Sequence, residues 1–108
     1  MKGEQMSFGN LAKMAAQMQA EMARVQAELD DLRVEGSAGG GAVTAVVSGR
    51  QELVSLRIDA DVVDPDDVDM LQDLVTAAVN DGLRLARQTG EEKMARVTGG
   101  MKLPPGFG

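Results

Sequence analysis

Val34-Glu35-Gly36-Ser37-Ala38-Gly39-Gly40-Gly41-Ala42-Val43 decides how the middle of this chain folds. Three consecutive glycines have no side chain to pack and no restriction to negative φ, so they end one element and turn the chain into the next. Beyond them Val43, Ala45 and Val47 fall on one side of an extended segment. Ser48-Gly49 marks a second turn, after which Val54, Leu56 and Ile58 alternate again, with Ser55 and Arg57 facing the other way. Residues 34–58 therefore read as a three-stranded antiparallel meander. The glycines form a turn rather than a phosphate loop, because the Lys-Ser/Thr pair that would touch phosphate and metal is missing.

On the N-terminal side, Leu11, Met14, Met18, Met22, Val25, Leu29 and Leu32 recur at helical spacing, with no proline and only Gly9 near the start. This predicts a helix from Phe8 to about Arg33. At 1.5 Å per residue it spans about 38 Å, more than a small sheet can cover, so part of it must project or pair with another helix. The Met stripe reads as a packing seam, the alternative being an adaptable docking groove.

On the C-terminal side, Asp64-Pro65 has the form of a helix start, with Asp64 as N-cap and Pro65 in the first turn. Asp66, Asp67 and Asp69 then lie where the helix dipole favours anions. The helix is expected to run towards Val97, with Val68, Leu71, Leu74, Val75, Ala78, Val79, Leu83 and Ala86 on its apolar face. Gly82 and Gly90 each cost about 1 kcal/mol relative to alanine, and Gly90 is a place for a bend. Gly99-Gly100 ends the helix, and residues 1–7 and 99–108, including Pro104-Pro105, read as flexible. The acids after Asp59 fail the spacing of a calcium loop: Asp61 fits, but Asp64 stands where glycine is required and Met70 where glutamate is.

At 108 residues the chain is the size of one domain. It has two aromatic residues, Phe8 and Phe107, so its core must come from Val, Leu, Ile, Met and Ala. Such a core is thin for so few residues, and oligomerisation is the natural remedy. The absence of Cys and His removes disulfides, thiolate chemistry and the commonest general base and metal ligand. The carboxylates are accounted for by helix starts and surface pairs, so no enzyme and no cofactor is expected. No apolar run approaches a membrane span and no apolar signal core follows Met1, which makes the cytoplasm the default location.

The net charge of −6 hides an asymmetry. Residues 59–81 hold eight acids and no base, whereas residues 82–108 hold five bases and two acids. If the first and last helices pack antiparallel beside the sheet, their far ends gather Lys2, Lys13, Arg84, Arg87, Lys93, Arg96 and Lys102, while the aspartates stay near the sheet. Lysine and arginine on a helix flank neutralise phosphates and release counterions. No recognition helix carries base-reading Asn or Gln, and no aromatics suit single-strand stacking. The pattern fits double-stranded DNA bound with little sequence preference. Its competitor is a pairing of these bases within the chain, as for Glu92 and Arg96 at i, i+4.

The ordered set of a Met/Gln-rich opening helix, the Gly-rich hairpin, the helix start within residues 62–80 and the Gly/Pro tail resembles the bacterial YbaB/EbfC family of nucleoid-associated proteins. The resemblance implies an α+β homodimer, tweezer-like, with a three-stranded antiparallel sheet flanked by long projecting helices that bind DNA in the nucleoid. Carried onto this chain, the contacts attributed to those helices fall on Lys13 and Arg24 in the first, and on Arg84, Arg87, Lys93 and Arg96 in the last. Two features depart from the family pattern: Ala15, Ala16, Gln17 and Gln19 stand where lysines are common, and Ser48-Gly49-Arg50-Gln51 replaces an Asn/Gly-rich turn. A non-catalytic adaptor whose Met-rich helices dock a partner protein is the alternative reading.

Overall fold

The computed structural model describes residues 8–99. Helix α1 spans Phe8–Asp31, strands β1, β2 and β3 span Arg33–Ala38, Val43–Ser48 and Leu53–Ile58, a 3-10 turn covers Ala60–Val62, and helix α2 spans Val68–Gly99. The three strands form an antiparallel sheet in the order β1-β2-β3, so the fold is α+β with a meander between two long helices.

Both turns follow from local chemistry. Gly39, Gly40 and Gly41 have φ of 64°, 68° and 94°, a left-handed run that side chains disfavour by about 1–2 kcal/mol per residue. In the second turn the Ser48 carbonyl accepts from the Gln51 amide at 2.9 Å, while Ser48 Oγ accepts from the amides of Arg50 and Glu52. Gln51 itself sits at φ 64°, where the sequence offers no glycine.

Gly36 stands opposite Ala45, and Ala45 opposite Leu56. The alternation expected along β3 breaks at a bulge: Ser55 pairs with Val46, but Leu53, not Val54, pairs with Val47. A bulge places two residues against one and so moves the apolar set by one position.

The start of α2 also differs from expectation. Asp64 Oδ1 accepts from the Asp66 amide at 2.9 Å, and the Asp64 carbonyl from the Asp67 amide at 2.9 Å, which closes a turn rather than opening a helix. The helix begins at Val68, and Asp67 caps it by accepting from the Met70 amide at 3.2 Å. Glycine does not break α2, which is continuous through Gly82 and Gly90.

Packing explains that continuity. Ala78, Gly82 and Ala86 are buried at four-residue intervals, giving α2 a flat strip with no bulky side chain. A Cβ on Gly36 would lie 2.1 Å from the Gly82 amide nitrogen and 2.4 Å from the Ala78 carbonyl oxygen, so strand and helix backbones are in direct contact there. The core beside this strip is small: Val43, Ala45 and Ala78, with Ile58, Val62, Leu74, Val75 and Val79 packed around them.

Helix α2 lies over β1 and β2. It leaves Leu53, Val54 and Leu56 on β3 at 47%, 50% and 38% exposure. On α1 only Val25 and Leu29 of the apolar stripe are buried, while Phe8, Leu11, Met14 and Met22 are exposed. The stripe read from the sequence exists, but its own chain covers only the last turns.

Candidate nucleic-acid interface

The path of the two helices is fixed by contacts along α2. Leu74 lies beside Gly39, Gly82 beside Gly36, and Gly90 beside Leu29, while Lys93 Nζ donates to Glu28 Oε1 at 3.1 Å. Chain 28–39 therefore runs opposite to 93–74, and the antiparallel arrangement holds at this junction. About 30 Å of α1 precedes Glu28, but only about 9 Å of α2 follows Lys93 within the described residues. Among the described residues α1 is the longer arm, and together they measure 79 × 28 × 16 Å.

The six candidate bases divide into two groups. Arg24 is held on α1 between Glu21 and Glu28, its Nη1 lying 2.8 Å from Glu28 Oε2. Lys93 reaches the same Glu28 across the helix junction and is half-buried. Arg84 pairs with Asp81 at 2.7 Å, near β1 rather than at the far end of the helix. Lys13, Arg87 and Arg96 are exposed and have no carboxylate partner among the described residues. The Glu92–Arg96 pair allowed by spacing is not formed. Lys2 and Lys102 lie outside the described residues.

These pairs shift the groups that make them. The Arg24 guanidinium is pushed up, first by its hydrogen bond to Glu21. Glu28 is pulled below the usual carboxylate range, chiefly by the hydrogen bond from Lys93. Asp81 is lowered, first by Arg84 and then by the Ser37 amide, which donates to its Oδ2 at 3.1 Å. Because the folded value of Asp81 lies below the unfolded one, its contribution is complete above the ordinary aspartate pKa of about 4 and disappears as pH falls through the folded value. An Asp81→Asn variant should therefore be less stable than the parent at pH 6, with the gap in urea midpoint closing below about pH 4. A gap that is constant from pH 6 to pH 3 would count against this assignment.

Three of these pairs were legible in the sequence, since Glu21 and Glu28 flank Arg24 at i−3 and i+4, and Asp81 precedes Arg84 by three. The Glu28–Lys93 bridge joins residues 65 apart in sequence and has no local signal. Among the described residues no group of three or more His, Cys, Asp or Glu could hold a metal ion. No helix among them is long and apolar enough to cross a membrane.

The sequence matches the model of the YbaB/EbfC DNA-binding family over residues 4–101. It is 54% identical to a nucleoid-associated protein of an Exiguobacterium species over 91% of this chain and 93% of that one. It is 48% identical to a nucleoid-associated protein of Alkaliphilus metalliredigens over 91% and 86%. The fold is similar to a crystal structure of an uncharacterized Helicobacter pylori protein, with a TM-score of 0.69 and 27% identity, covering 90% of this chain and 98% of that one.

Proposed function

Since the chain belongs to the YbaB/EbfC DNA-binding family, a family of nucleoid-associated proteins and not of enzymes, we propose that it binds double-stranded DNA as a homodimer, with little sequence preference, in the nucleoid. The observation that carries this reading is the set of exposed bases without carboxylate partners, Lys13, Arg87 and Arg96, on helices that outrun the sheet. Phosphate neutralisation by such groups is strong at low salt, weak at high salt and indifferent to sequence. The dimer is supported by the apolar surface the single chain leaves uncovered. Leu53, Val54 and Leu56 continue the core face sideways, and Leu11, Met14 and Met22 continue the seam of α1 outwards. A second copy brings the same apolar surface and doubles the number of exposed bases, while the acids of residues 59–73 near the sheet repel DNA from the body and direct it to the arms.

The test is a fluorescence-anisotropy titration of an arbitrary duplex at ~50 mM and ~150 mM salt. A Lys13→Gln/Arg87→Gln/Arg96→Gln variant is compared with the parent. The parent should bind with a steep loss on raising salt. The variant should bind at least tenfold more weakly at low salt, its salt slope shallower by about 0.9 for each phosphate left unneutralised. Binding by the parent that ignores salt, or none at ~50 mM, would instead support the adaptor, whose apolar docking does not weaken with salt.

A further inference from the structure

We propose that Glu21 and Glu28 act as built-in competitors of DNA, occupying Arg24 and Lys93 so that both bases are withheld from phosphate until the carboxylates are displaced or neutralised. This autoinhibitory contact rests on the DNA-binding reading above and deepens it.

Arg24 and Lys93 are two of the six bases that sequence alone assigns to the arms. In the folded protein they share Glu21 and Glu28, and the four groups cancel to a neutral cluster. Arg24 sits one helical turn from each glutamate, so both can reach it without leaving the surface of α1. Its side chain is 59% exposed, so a phosphate can reach the guanidinium once the carboxylates let go. Lys93 is drawn towards α1 by Glu28 and covered at the junction, where it cannot track a DNA backbone. A carboxylate and a phosphate compete for the same guanidinium fork with the same bidentate geometry. The carboxylates have the advantage of being tethered, and the phosphates that of number.

Asp81 is different. It also accepts the Ser37 amide and so serves the attachment of α2 to β1, which makes its pairing with Arg84 structural. Glu91 and Glu92 lie on α2 close to Lys93 and have no basic partner among the described residues. They provide a control of equal charge.

The experiment compares three proteins in duplex titrations over a range of salt: the parent, Glu21→Gln/Glu28→Gln, and Glu91→Gln/Glu92→Gln. Both variants lose two acids, but only the first unlocks bases. It should bind about tenfold more tightly than the control at ~50 mM salt, with a slope steeper by about 0.9 for each further phosphate neutralised. Adding Arg24→Gln and Lys93→Gln to it should remove the gain. Equal affinity of the two variants, or a gain that survives loss of Arg24 and Lys93, overturns the proposal while leaving DNA binding standing. Absence of binding by all three at low salt overturns both readings. Should Glu28→Gln loosen the helix junction, seen as lost helicity, Glu21→Gln alone is the decisive variant. It touches only Arg24 in its own helix, and should yield part of the gain if the proposal holds and none if it does not.

Discussion

Replacing Gly36 with alanine should cost the fold about 3 kcal/mol, at the upper end of ordinary overpacking penalties. The added Cβ would meet the Gly82 amide nitrogen at 2.1 Å and the Ala78 carbonyl oxygen at 2.4 Å. Both are backbone atoms of α2, so no rotamer change can relieve the contact, and the helix must lift from β1. Lifting it opens the strip of Ala78, Gly82 and Ala86 over the sheet, exposes Val43, Ala45 and Val47, and strains the Ser37–Asp81 hydrogen bond. Against a total stability of about 5–15 kcal/mol, such a loss leaves little of a small domain. Gly82→Ala is the informative comparison. There the new Cβ meets a side-chain methyl, Val47 Cγ2, at 2.7 Å, and alanine recovers about 1 kcal/mol of helix propensity, so the net cost should be much smaller. Urea unfolding of the two variants checks the order; a Gly82→Ala variant as unstable as Gly36→Ala would mean that the methyl, not the backbone approach, sets the cost.

Leu56→Lys should abolish self-association and, with it, most DNA affinity. Leu56 pairs with Ala45 in the sheet, so it points to the side that α2 covers over β1 and β2 but not over β3. The two largest fully buried side chains are valines, Val43 and Val47, a sign that one copy lacks the apolar volume for a robust core. A charge placed in the face proposed to be shared between copies would have to be desolvated without a partner, which costs several kcal/mol. Sedimentation should find the parent at twice the mass of a chain, and the variant at the mass of one chain or unfolded. Since a duplex spanning two arms gains avidity that a single arm lacks, the variant should lose about a hundredfold in affinity. A dimeric Leu56→Lys protein would place the interface elsewhere, with the exposed side of α1 that carries Leu11 and Met22 the next surface to substitute.

Much of this protein is readable from its linear pattern. The meander follows from three glycines and two runs of alternation, the helices from apolar spacing, and the ends of β2 from turn chemistry, because each depends on residues within a few positions of one another. The family resemblance rests on the same ordered set. Asp67 rather than Asp64 caps α2, because Asp64 is already engaged in a turn with the amides of Asp66 and Asp67. Where the fold otherwise departs from that pattern, the cause is a contact with a distant element. The bulge at Val54 depends on the partner strand, not on β3 alone. Gly82, a weak point when α2 is considered as an isolated helix, is buried at the contact that Gly36 allows, its missing Cβ leaving room for Val47 Cγ2. The candidate interface was legible as a set of bases and not as a surface. Local spacing shows that Arg24 and Arg84 have acids within reach, but only the folded chain brings Glu28 to Lys93 and thereby separates bound bases from Lys13, Arg87 and Arg96. Sequence determines which residues share an element because the helix and strand periods are properties of the backbone. Tertiary structure decides which charges are neutralised, because an ion pair acts over only a few ångströms and those distances are set when α1 is laid against α2.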